Sequence, residues 1–399
     1  MAKAKPSSVP VQQKLYEWGK PALHLVRIIG YFPFSVSKNF GLSGSYRSIP
    51  FMWSTFLCVI ALLKIVNLCA RTASKAVVPL SDLDKVEAFC QLLLATAAVT
   101  AVFSFTLKGI VTLKQAVNFW NTNCSMLQEF TDLHPSFNFC LHSNPCHEMF
   151  QKIAFRMKFP CIFIWLYGII TPAVMFLAHI SPLGVRQTSE AVIIQGLSES
   201  WVSMTIKIAF QASISMTYLY MSLTAYMAFF LMVYSACLKI IATELKKLSH
   251  QHSKDHLKLS EKSLGSLYSP FLEACIQETQ EVDIRICLRA YQLIEDLVAE
   301  FNSQFSFEII VDACKSVSSI LVYAFFVITR GVGPLAALVT LGPAIAMGFR
   351  LLALATEATE VKKGADAVAC ELQRLDMDKL TAGTRVKVWM LNQVILCSE

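Results

Sequence analysis

Four side chains able to bind zinc crowd into the stretch CLHSNPCH, at Cys140, His142, Cys146 and His147. A structural zinc site takes four nitrogen or sulfur ligands at characteristic sequence spacings. This stretch follows none of the common patterns. A turn at Asn144-Pro145 carrying free thiols is the favoured reading, and no cofactor is expected. Asp312 and Lys315 raise a different chemistry. They lie three residues apart in an apolar run, on one helical face, where they can pair. Ionisable groups in such runs are costly and face protein or water. Mutual neutralisation is the expected role of this intramembrane pair, with gating as the sharper alternative. Lys64 and Arg350, nearer the ends of apolar runs, are expected to snorkel.

A third set is more dispersed: Glu87, Gln91, His179, Trp201, Lys207, Gln211 and Tyr323. Small-molecule pockets are mostly apolar with a few placed polar groups. This set fits the lining of one, while each residue singly also fits interfacial anchoring. No nucleotide-binding, metalloprotease or hydrolase motif occurs, so no enzymatic activity is expected.

The elements that would position these groups are apolar helices. Of 399 residues, 55% are hydrophobic and only 16% charged, against about 25% charged in soluble domains. The mean hydropathy is +0.51. This composition points to an all-α, polytopic membrane helix bundle. A span needs about 20 mostly apolar residues. Six windows qualify: about 48–70, 86–107, 159–180, 201–238, 305–328 and 335–356. Helices are expected throughout, because lipid leaves a lone strand without backbone partners. The start, MAKAKPSSVP, has no apolar signal segment, so the first span is expected to direct insertion.

Lysine and arginine set the orientation. With the N-terminus inside, the inner segments hold 26 of them and the outer loops 5. The predicted outer loops 71–85, 181–200 and 329–334 contain no cysteine, so no disulfide is expected. The basic residues alternate with apolar spans, which argues against nucleic acid as a partner. The organisation is then a cytoplasmic segment 1–47, a bundle 48–356 with cytoplasmic anchor helices at 239–304, and a cytoplasmic tail 357–399. Within the anchor region Ile284, Leu288, Tyr291, Ile294, Leu297 and Phe301 recur at helical spacing. The polar connector 250–270 is expected as a loop.

The segment YQLIEDLVAEFNSQFSFEIIVDACKSVSSILVYAFF (291–326) resembles the region before the fifth span of arthropod gustatory receptors. There a helix ends in Asn, then Phe, then an apolar span ending near Tyr; here these are Asn302, Phe305 and Tyr323. The resemblance implies a ligand-gated, non-selective cation channel of the plasma membrane that detects small-molecule tastants. It implies a homo- or hetero-tetramer joined through cytoplasmic anchor helices, and no G protein. The family's seventh helix carries Thr-Tyr, five apolar residues and Gln-Phe. The one Thr-Tyr here, Thr217-Tyr218, is not followed by Gln-Phe. The resemblance therefore leads to the expectation of a chain without the seventh, pore-lining helix, truncated and unable to form a pore alone. RVKVWMLNQVILCSE then resembles the cytoplasmic half of that helix. An odorant-receptor-type chemoreceptor and a six-span small-molecule transporter are the alternatives. A voltage-gated channel does not fit, because span 4 lacks an arginine ladder and RGVGP is too short for a filter loop.

Overall fold

The computed structural model describes residues 11–37, 40–75, 86, 100, 103–140, 147–158, 161, 162, 164, 166, 221–262, 269–330, 334–375 and 380–397. The architecture is helical, apart from a hairpin of two-residue strands. In chain order the elements are α1 (Val11–Ile28), β1 (Ser35–Val36), β2 (Leu42–Ser43), α2 (Ile49–Lys75), α3 (Leu113–Leu133), α4 (Met221–Lys262), α5 (Ser269–Arg330), α6 (Pro334–Gln373) and α7 (Ala382–Cys397). Residues 103–111 and 147–158 are also helical. In the hairpin Ser35 pairs with Ser43 and Val36 with Leu42, antiparallel.

Three helices far exceed a bilayer. At 1.5 Å per residue, the 62 residues of α5 run about 90 Å. The 42 of α4 and 40 of α6 each run about 60 Å, twice a hydrocarbon core of about 30 Å. α5 passes from Ser269 to Arg330 without a break. Its six periodic residues, Ile284 to Phe301, are all buried. The connector expected at 250–270 is instead helical as far as Lys262, because α4 simply continues through it. α6 opens on Pro334, where the missing N–H costs no hydrogen bond and the ring presets φ. Among the described residues, Met221–His250 is long and apolar enough to cross a membrane, and Ile49–Leu63 is a shorter apolar helix.

Residues 11–37 pack into the bundle. The apolar stripe Val11, Leu15, Trp18, Ala22, Leu25 and Val26 of α1 recurs every three or four residues and is buried. α1 packs on α3 and α4. Its end is closed by a left-handed Gly30 (φ 75°), and the Val26 carbonyl accepts the N–H groups of Tyr31 and Phe32. Glycine takes that backbone conformation without a Cβ clash. The chain then runs non-helically through Tyr31, Phe32 and Phe34, all buried. Trp53 Nε1 of α2 donates to the Ile28 carbonyl at 2.7 Å. The side chain of Asn121 on α3 brackets the backbone N–H and carbonyl of Leu42 on β2.

Candidate functional site

Polar residues recur along α5 at Gln304, Glu308, Asp312, Lys315, Ser316 and Ser319. Steps of three and four keep them on one helical face, and all six are buried. The neighbouring faces are apolar and open. Ile310, Val317, Leu321 and Ile328 of α5 are exposed, as are Phe349 and Leu352 of α6. On α2, Ile49, Met52, Phe56, Val59, Leu63 and Val66 are exposed likewise. Charge lies inside and oily side chains lie outside, the reverse of a water-soluble helix.

The lower part of this face joins three segments. The Glu308 carboxylate, with no solvent exposure, accepts the Tyr31 hydroxyl at 2.6 Å and the Lys108 ammonium at 2.6 Å. Lys108 also donates to the Gln304 carbonyl at 2.8 Å. Burial, and then the Glu308 charge, push the Tyr31 phenol well above its ordinary range, so it keeps its proton and donates. Tyr31 is held from its other side by Gly109. A Cβ built on Gly109 would lie 1.9 Å from the Tyr31 carbonyl oxygen. Phe105 meets the Tyr31 ring edge-on at 6.5 Å.

One turn further along, Asp312 Oδ1 accepts from Arg350 of α6 at 2.5 Å, and the same guanidinium nitrogen donates to Ser316 Oγ at 2.7 Å. Arg350 therefore does not snorkel. It is 9% exposed and turned into the bundle, because a buried carboxylate and hydroxyl await it there. Charge neutralisation of Asp312 runs between two helices as well as along one, with buried Lys315 three residues away on α5. Asp312 Oδ2 and Arg350 Nε have no hydrogen-bond partner among the described residues.

The motif residue Phe305 is buried and packs edge-on against Phe119 at 5.2 Å, and against Tyr226 and Phe301. Asn302 is exposed. Tyr323 is placed only as a helical residue of α5. Glu87, Gln91, His179, Trp201, Lys207 and Gln211 lie outside the described residues, and so do His142 and Cys146. Of the zinc-capable set, Cys140 is buried. His147 has both ring nitrogens engaged, Nδ1 with the Phe139 carbonyl at 2.9 Å and Nε2 with Gln151 at 3.0 Å. That is the pattern of a packing histidine. The described residues hold no group of three or more potential metal ligands.

A second polar cluster docks the tail helix. Glu281 of α5 accepts from Thr381, from Thr384 at 2.6 Å and from Arg285 at 2.5 Å. Arg285 Nε reaches Thr384 at 3.0 Å. These donors hold the Glu281 carboxyl at about 2, below its ordinary 4.5, the threonine hydroxyls contributing most. Glu360 of α6 likewise accepts from Lys239 of α4 at 2.7 Å and from Lys363 at 3.0 Å. Sequence reasoning overlooked Glu308, Tyr31 and Glu281. The recurrence of polar residues at 304, 308, 312 and 316 was a signal for Glu308; nothing in the sequence joined Tyr31 or Thr384 to α5.

No protein-family model matches the chain, and no curated protein matches it. Among solved structures, the chain is similar to the insect olfactory receptor OR5 from Machilis hrabei in complex with eugenol, at 11% sequence identity and a TM-score of 0.40, over 96% of this chain and 90% of that one.

Proposed function

We propose that the chain is a subunit of a gustatory-type chemosensory receptor, a ligand-gated cation channel of the plasma membrane that answers small-molecule tastants. One observation carries the membrane part of this reading: ionisable and hydroxyl side chains of α5 and α6 are buried while their outer faces expose large apolar residues. A lipid surround makes that partition favourable. The receptor part rests on the pattern Asn302, Phe305 and Tyr323 ahead of and within a span. The proposed ligand pocket remains Glu87, Gln91, His179, Trp201, Lys207, Gln211 and Tyr323, in the outer half of the bundle. The proposed assembly is a tetramer through the cytoplasmic parts of α4, α5, α6 and α7, with the N-terminus inside. A tastant acts by binding one arrangement of the bundle more tightly than another. The Asp312–Arg350 contact is where movement of α6 against α5 would register.

Expression in cultured cells with a calcium indicator tests this. Tastant-evoked calcium entry is expected when the chain is expressed together with related receptors, and a weaker response from Asp312→Asn. A chain that reaches the cell surface with them yet adds no response to sugars or bitter compounds refutes the reading.

A further inference from the structure

The helical residues 147–158 divide sharply. Phe150, Ile153 and Met157 are buried, and the same face continues through Cys161 and Ile164. Phe150 stacks on Phe139 at 4.1 Å and on Trp18 at 5.2 Å, which fixes the rotation of the helix. The outward face carries Lys152, Phe155, Arg156 and Lys158, then Ile162 and Leu166. Phe155 is 77% exposed, Ile162 58% and Leu166 46%. The exposed residues thus change from cationic at 152–158 to apolar at Ile162 and Leu166, with one aromatic ring inside the cationic part. Glu148 is the acidic residue on this face, and Glu357 of α6 lies within electrostatic reach of Arg156. The three cations outnumber them.

We infer that this face is a docking surface for anionic phospholipid headgroups of the inner leaflet. Lys152, Arg156 and Lys158 meet the headgroup phosphates and carboxylates, and Phe155 enters the boundary between headgroups and acyl chains. Charge complementarity supports this surface, as do the exposed Ile162 and Leu166 beyond it, which the hydrocarbon covers. The inference rests on the membrane reading above. A cation near an anionic leaflet contributes roughly fivefold in binding, about 1 kcal/mol. Removing all three therefore costs roughly a hundredfold in preference for anionic over zwitterionic lipid.

The test uses the full chain in bilayer nanodiscs and in mixed micelles. Retained phosphatidylserine and phosphatidylcholine are counted by native mass spectrometry. The wild type is expected to retain phosphatidylserine selectively. K152Q/R156Q/K158Q loses that selectivity, and Phe155→Ala weakens retention of the same lipid. K246Q/K247Q, which removes two exposed cations of α4, leaves it unchanged and controls for net charge. Even elution of each variant on gel filtration checks folding. Equal retention of both lipids by the wild type overturns the proposal, as does selectivity surviving in the triple variant. Protection of this face only by an added acidic protein, with phosphatidylserine ineffective, overturns it too. A chain that stays in water and enters no bilayer refutes the membrane reading itself; insertion without headgroup preference refutes only the lipid surface.

Discussion

Substituting Lys108 by Met leaves Glu308 as a buried carboxylate with the Tyr31 hydroxyl as its remaining strong donor. Glu308 has no exposed side-chain surface, while Lys108 keeps 20% of its own. Breaking a buried ion pair from the side that strands the deeper charge costs about 3–5 kcal/mol. The reverse change, Glu308→Gln, strands the charge that still reaches solvent and still donates to the Gln304 carbonyl. Its cost is about 1–3 kcal/mol, the range for losing a charge-assisted hydrogen bond. The double variant K108M/E308Q has no stranded charge, and its amide oxygen can still accept from Tyr31. It is expected to be more stable than K108M alone, with a coupling of about 2 kcal/mol. Tyr31→Phe is the third arm, with a cost of about 1.5–3 kcal/mol for one hydrogen bond to an ionised group. Purified variants in one detergent, unfolded by denaturant and followed by intrinsic fluorescence, give all four values. Additivity of K108M and E308Q within about 0.5 kcal/mol refutes the reasoning, because it would mean the two groups do not meet.

Gly109→Ala is expected to cost several kcal/mol or abolish folding, because its methyl group would lie 1.9 Å from a backbone oxygen that no rotamer can move; yield of monodisperse protein on gel filtration checks it. Glu281→Ala is expected to free α7, so that trypsin cuts faster at Arg385 and Lys387. In the wild type the Glu281 carboxyl is depressed from 4.5 to about 2, so its stabilising contribution is complete above about pH 4.5. It is lost as pH falls towards about 2, and the protection factors of the α7 amides should stay flat near neutrality and fall only in that acid window. Cys314 and Cys370 are exposed, while Cys124 and Cys287 are buried with thiols pushed up to about 12. In permeabilised cells, a water-soluble maleimide is expected to modify Cys370 but not Cys314, whose exposed side the proposed membrane placement sets against lipid. Modification of both by mass mapping argues against the bilayer around α5.

The parts of the fold legible in the sequence were those governed by periodicity. Spacing alone marked the buried face from Ile284 to Phe301. The long apolar windows gave the helical character of α2, α4, α5 and α6. Two things escaped it. Nothing in residues 11–37 announced their partners: Tyr31 donates to Glu308, 277 residues away in sequence, whose other donor is Lys108. Periodicity tells which residues share a face, not which faces meet. The Asp312–Lys315 pairing was a local inference of the same kind. It missed Arg350, because nothing in a single sequence places α6 against α5. Polar residues misled for one further reason. The charges that make α5 look poorly apolar between 304 and 319 are those it buries, so hydropathy understates how apolar its exposed surface is.

The buried face of α5 then has a consequence for how the bundle moves. Glu308 ties α5 to Lys108 of the helical run 103–111 and, through Tyr31, to the N-terminal segment. Asp312, one turn on, ties α5 to α6. The first contact is closed: both Glu308 oxygens have donors, and Gly109 presses on the Tyr31 backbone from behind. The second is open: Asp312 Oδ2 and Arg350 Nε have no hydrogen-bond partner among the described residues. Lys315 lies a turn away on the same face. A carboxylate with one filled oxygen, one open oxygen and two cations within reach can exchange partners at small cost, because charge stays neutralised throughout. In the proposed channel the Glu308 cluster would then be the fixed point of α5, and the Asp312–Arg350 contact the joint across which α6 shifts.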